Sequence, residues 1–269
     1  MNGRPALVGL PYDASSSFLR GAARGPTHVR DALFSPAGNG WSELMVDVLS
    51  PPQGLEDLGD LDLPPDDRAR DRIEAAIGSL VADDRRFIAL GGDHSVTYPI
   101  LRSLSRRAGP ITILQIDAHP DLYDTFDGER HSHACPFARI MEEGLAARLV
   151  QVGIRAMSGP QIEQVRRFHV EQFPMRAWAD GARPSLVGDV YVSIDLDGLD
   201  PSCAPGVSHP EPGGLTVRDV LGLLHTLTGR LIGADIVELN PARDPSGVTA
   251  GVAAKFVKEL TAGFLVDGA

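Results

Sequence analysis

The chain alternates short, nearly continuous apolar runs with longer stretches in which apolar residues recur every three or four positions. The apolar runs are ALVGL (6–10), RFIALGG (86–92), ITILQID (111–117), RLVQVGI (148–154), VYVSIDL (190–196) and LIGADIV (231–237). Runs of that length without polar alternation predict parallel strands covered on both faces. A helix is predicted over 25–33, where Pro26 sits near the start and its missing N–H costs nothing. A second covers 68–83, with Ile73, Ile77, Leu80 and Val81 on one stripe. Segments 95–107, 137–143, 217–227 and 249–265 complete the helical set. Pro- and Gly-rich stretches at 50–66 and 200–214 read as loops, and the acidic LEDLGDLDLPPDD reads as a solvated edge. With no internal repeat or long linker, the pattern predicts one domain over 1–269, a three-layer α/β/α architecture on a mainly parallel sheet.

Four of these strands run out into residues that apolar packing would not place there. They lead into Asp93 and His94, into Asp117, His119 and Asp121, into Asp195 and Asp197, and into Glu238. In an open parallel sheet, ligands bind beyond the carboxyl ends of the strands, so these groups are expected to converge. On extended backbone, positions i, i+2 and i+4 share a face, which would aim Asp117, His119 and Asp121 together, and Asp195 with Asp197. Four carboxylates so gathered repel, and without a counter-charge some would hold protons. No Lys or Arg lies within these motifs, whereas two divalent cations would balance them. Oxygen donors with two imidazoles and no thiolate suit manganese or another borderline-hard ion, not structural zinc. Two such ions roughly 3.5–4 Å apart can bridge a water and lower its pKa towards neutrality, giving a hydroxide nucleophile.

Composition narrows the partners. With 36 acidic against 25 basic residues and a net charge of −11, the chain lacks the basic surface that nucleic acid requires. A cationic small molecule or metal ions fit better. No apolar run of about 18 residues predicts a membrane span, and MNGRPALVGLPYD has neither a basic n-region nor a long apolar core, so the cytoplasm is expected. Cys135 and Cys203 have no C-x-x-C spacing and read as small packing residues, not as a disulfide.

The motifs GGDHS (91–95), DAHPD (117–121), SHACPFARI (132–140), SIDLDGLDPSCAPG (193–206), EPGGLT (211–216) and ADIVELNPARD (234–244), with SSFLRGAARGP (16–26), closely resemble those of the ureohydrolase family, which includes arginase and agmatinase. The likeness spans almost the whole chain and is greatest to plant-type arginases and bacterial agmatinases. It implies an arginase-type fold and two Mn²⁺ ions held by His94, Asp117, His119, Asp121, Asp195 and Asp197. It further implies a small cationic guanidino substrate cleaved to urea and an amine. Glu238 would pair with the guanidinium, Asp121 would donate the proton to the leaving amine, and His133 would bind near the substrate and exchange protons with solvent. Homo-oligomers, trimers or hexamers, are implied as well.

The stretch LYDTFDGERHSHA departs from the loop by which animal-type arginases contact the substrate's α-carboxylate. Arg130 and Arg155 are the candidate carboxylate partners, while Asp124, Asp127 and Glu129 would form an acidic mouth suited to agmatine. Agmatine is therefore expected ahead of arginine. His209 and Glu211 are further candidates for the mouth. Two alternatives stand beside this reading: a one-zinc deacetylase of acetylated polyamines, and a non-catalytic family member.

Overall fold

The computed structural model describes residues 3–266. Eight strands form one sheet: β1 (Ala6–Leu10), β2 (Glu56–Asp60), β3 (Phe87–Gly91), β4 (Ile111–Ile116), β5 (Arg148–Val152), β6 (Glu171–Phe173), β7 (Asp189–Asp195) and β8 (Arg230–Val237). Their order is β2-β1-β3-β8-β7-β4-β5-β6, and each neighbouring pair is parallel. The helices are α1 (Gly25–Leu33), α2 (Arg68–Ala82), α3 (Thr97–Leu104), α4 (Pro136–Glu142), α5 (Gly159–Arg167), α6 (Met175–Ala179), α7 (Val217–His225) and α8 (Val248–Val266).

Two cores lie on opposite faces of the sheet, because successive strand residues point to opposite sides. Helices α1, α7 and α8 bring Val29, Leu33, Val220, Leu221 and Phe256 against Leu7, Ile116, Val192 and Ile194. On the other face, α2, α3 and α4 bring Ile73, Ile77, Ile100, Leu101 and Phe137 against Val8, Phe87, Ile113 and Tyr191. Each such side chain, fully buried, contributes about 1.5–3 kcal/mol relative to exposure. The expected three-layer α/β/α architecture is present. None of the described helices is long and apolar enough to cross a membrane.

Several local expectations need correction. Strand β2 lies inside the 50–66 stretch read as a loop. It is a mostly exposed edge strand, EDLGD, paired to β1 through its backbone, so it carries no apolar signal. Strand β6 and helices α5 and α6 were not anticipated between β5 and β7. Three residues at an edge and a polar helix leave little periodicity, although the Ser158–Gln161 capping box at the start of α5 was a readable sign. The predicted helix at 95–107 opens as a tight turn over His94–Val96 before α3 begins.

Candidate metal centre

The strands at the middle of the sheet, β3-β8-β7-β4, are those whose ends carry the candidate residues. His94 follows β3, Glu238 follows β8, Asp195 ends β7 and Asp117 follows β4. Chain connections leave in opposite directions on the two sides of this region, the arrangement that opens a crevice in parallel sheets. Two donor groups form there. His94, Asp117, Asp121 and Asp195 offer ligand atoms within 4.8 Å of one another, and so do Asp117, His119 and Asp197. Asp117 is common to both.

These side chains converge by a different device from the extended backbone expected. Strand β4 ends at Ile116, and the chain then turns: Asp117 Oδ1 accepts from the His119 N–H at 2.6 Å. Asp195 Oδ1 likewise accepts from the Asp197 N–H at 2.8 Å. Such Asx-type turns fold each acidic residue back over its own loop. Asp121 and Glu238 complete the bend with φ of 49° and 67°, left-handed conformations that cost a non-glycine residue about 1–3 kcal/mol.

Hydrogen bonding behind the groups fixes His94. Ser193 Oγ donates to Asp235 at 2.7 Å, so it must accept from His94 Nε2–H at 2.9 Å. Asp235, wholly buried, also accepts from Thr97 and Tyr191. The lone pair of His94 therefore lies on Nδ1, which faces oxygens of Asp117, Asp121 and Asp195 at 3.0–3.2 Å. The geometry suits a hydrogen bond to none of the three, and Nδ1 is a buried polar atom without a partner. A cation placed among these atoms would satisfy the nitrogen and the three oxygens together. The donor set thus fits two divalent metal ions.

Electrostatics agree. Burial and then the charge of Asp117 push the Asp121 carboxyl up to about 6. Burial and the charges of Asp197 and Asp117 raise Asp195 well above the carboxylate range. A carboxyl raised in the fold stabilises it only while protonated, a contribution lost as pH climbs through about 6. Stripping divalent ions with a chelator should accordingly lower Tm by on the order of 10 °C, the shift for ligand roughly a thousandfold above Kd. The gap should widen from pH 5 to pH 8; identical melting with and without chelator at both values would contradict the assignment.

A cleft of about 300 Å³ opens above these groups, lined by His119, Asp121, Asp195 and Asp197 and also by His133, His209 and Glu238. Glu238 Oε1 accepts from the His94 N–H and from His133 Nδ1, both at 3.0 Å. Burial lowers the His133 ring pKa, but the Glu238 carboxylate more than offsets that and lifts it to about 9. His131 instead stacks on Tyr98. His209 packs 5.2 Å from the His133 ring, whereas Glu211 does not line the cleft and gives only its backbone carbonyl to Arg155.

The outer wall is neutral: Tyr123, Phe126, Met157, Ser158 and Gln161. The two arginines expected to read a carboxylate are engaged elsewhere. Arg155 donates to the carbonyls of Gly153, Asp197, Gly198, Leu199 and Glu211, clamping the loop beyond β7. Arg130 pairs with Asp124 and Glu142. The acidic mouth is not there either. Asp124 is neutralised by Arg130 and Arg139, while Asp127 and Glu129 line a neighbouring hollow. Sequence reading also passed over Ser193, Asp235 and Gln115, which support the donors from behind. Polar residues inside otherwise apolar strands were the available sign.

Comparison with known proteins places this geometry. Residues 4–263 match the family model described as the arginase family. The chain is 46% identical to arginase 1, mitochondrial, of Arabidopsis thaliana over 96% of its own length and 80% of the relative's. It is 35% identical to the N(1)-aminopropylagmatine ureohydrolase of Thermus thermophilus, covering 88% of this chain and 83% of that one. The solved structure of arginase from Medicago truncatula superposes with a TM-score of 0.91 at 43% identity, covering 97% of this chain and 87% of the other. With the family model matched over nearly the whole chain and the fold superposing on a solved arginase, the chain belongs to the arginase family of ureohydrolases, binuclear-metal hydrolases that cleave C–N bonds of guanidino compounds.

Proposed function

We propose that this protein is a manganese-dependent ureohydrolase that releases urea and an amine from a linear guanidino compound, arginine or agmatine. The observation that carries the reading is the pair of donor groups sharing Asp117 at the floor of a cleft that also holds Glu238. His94, Asp117, Asp121 and Asp195 would hold one cation, and Asp117, His119 and Asp197 the other. When bound, the two ions supply a nucleophilic water at neutral pH. Glu238 would accept paired hydrogen bonds from the guanidinium and hold its carbon over the cluster. Asp121 would pass a proton to the departing amine, and His133 would return one. All six candidate ligands fall into two donor groups, which supports this reading over a one-zinc deacetylase and over a non-catalytic member.

Arginine is placed first. The acidic mouth that put agmatine ahead is neutralised or displaced, and the 46% identity to the Arabidopsis thaliana arginase exceeds the 35% to the N(1)-aminopropylagmatine ureohydrolase. Agmatine remains the second reading, favoured by the absence of any Arg or Lys among the residues lining the cleft. Urea release from arginine, agmatine and guanidinobutyrate, measured side by side on Mn²⁺-loaded protein, tests both. Arginine should lead in kcat/KM; no urea from any of them, with two ions bound, would end the proposal.

The reading extends to one domain built on the continuous sheet and to a cytoplasmic homo-oligomer, trimer or hexamer. Exposed Trp41, Leu44 and Met45 on one short segment support association. A monomer in sedimentation velocity would remove that part.

A further inference from the structure

His133 is 8% exposed, and both of its ring nitrogens are occupied by protein groups. Nδ1 faces inward to Glu238, and Nε2 lies 2.8 Å from Ser17 Oγ. Neither ring nitrogen is left without a protein hydrogen-bond partner, so the Nε2 contact leads outward through Ser17. Ser17 is exposed, and it lines both the substrate cleft and the neighbouring hollow.

The segment carrying Ser17 is held in register with His133 by other bonds. The His133 N–H donates to the Ser15 carbonyl at 3.1 Å, and the Ser15 N–H donates to the buried carboxylate of Asp93 at 3.0 Å. Asp93 itself accepts from Ser95 and caps the turn that carries His94. One acidic residue therefore ties the loop of Ser17 to the strand end that supplies a metal donor. Hydroxyl and imidazole are set against each other by three attachments, not by a surface contact alone.

We propose that Ser17 is the proton relay between His133 and solvent, an inference that rests on the ureohydrolase reading of the cleft. A hydroxyl both donates and accepts, so it can transmit a proton without being consumed. In the outward direction the His133 Nε2–H bond breaks and a new O–H bond forms at Ser17 Oγ. The original Oγ–H bond breaks as its proton passes to a solvent water. No electrons change hands, and rotation of the hydroxyl restores the starting state. The reverse sequence recharges the imidazole. Ser17, His133 and Glu238 thus form one hydrogen-bonded line from the exterior to the guanidinium partner.

The test is steady-state urea release by Mn²⁺-loaded Ser17→Ala and Ser17→Thr proteins in dilute buffer. Ser17→Ala should lose about tenfold in kcat with KM within about twofold, because water replaces a fixed relay poorly. Added imidazole should restore kcat in proportion to its concentration, and Ser17→Thr should stay near the parent. Metal content of all three should be equal. A Ser17→Ala enzyme with unchanged kcat, or with a loss that imidazole does not relieve, overturns the relay while leaving the ureohydrolase reading intact. A parent protein inert towards every guanidino compound overturns both.

Discussion

Asp117→Asn should reduce urea release by roughly a thousandfold or more, the scale expected when a preorganised charge at the reacting centre is lost. It is the one residue that belongs to both donor groups. Its Oδ2 lies 3.2 Å from His94 Nδ1 and accepts from Gln115 at 2.7 Å, while Oδ1 accepts from the His119 N–H. An amide keeps the shape but has one acceptor and one NH₂ group. Whichever way it turns, the NH₂ meets either the Gln115 NH₂ and the first donor group, or the His119 N–H and the second. Both cations should bind more weakly, whereas the change of a single atom leaves the apolar packing intact. Metal content and urea release measured together give the check. Two ions per chain with undiminished turnover would show that the cluster is not the reacting centre.

Glu238→Gln should separate substrate recognition from metal binding. The carboxylate lies in the cleft wall, and its Oε1 already takes the His94 and His133 N–H bonds. A glutamine carbonyl can keep those two bonds but brings no charge to meet a guanidinium. Ionic hydrogen bonds contribute about 1.5–3 kcal/mol each, so losing a pair should lower kcat/KM by at least about a hundredfold. Both ions should stay, since Glu238 is in neither donor group. Parent-like kcat/KM in this variant would remove Glu238 from the guanidinium role, and loss of metal would reassign it to the cluster.

The metal chemistry was legible because it sits at strand ends, where a buried parallel strand gives way abruptly to Asp and His. Four such transitions marked the strands whose ends were expected to converge, and the sheet places those four side by side at its middle. The local geometry was less accessible. How Asp117, His119 and Asp121 are aimed depends on the Asx-type turn at Asp117 and the left-handed φ of Asp121, and neither has a signature in DAHPD. The mouth was misjudged for a related reason. Asp124 and Arg130 looked like free charges in LYDTFDGERHSHA, yet each has a partner, and Arg139 is brought in from α4. Pairing across elements is a tertiary fact. Edge elements β2 and β6 were silent because solvated strands need no apolar pattern.

The glutamines behind Asp117 carry one more consequence. Gln115, Gln151 and Gln172 are register partners across β4, β5 and β6, and their amides join head to tail, each NH₂ to the next oxygen at 2.7 Å. Because Asp117 can only accept, the direction of the whole row is dictated from its inner end. Sliding β5 by one residue would set an aliphatic side chain opposite Gln115 and strand buried amides, at a cost of about 1–3 kcal/mol for each. The row therefore acts as a polar zip in an otherwise greasy sheet, rejecting misaligned strands during assembly. The alignment it selects seats β5 and β6 against the strand that leads into Asp117, so folding fidelity on that side of the sheet and the bracing of a shared metal donor depend on the same row of amides.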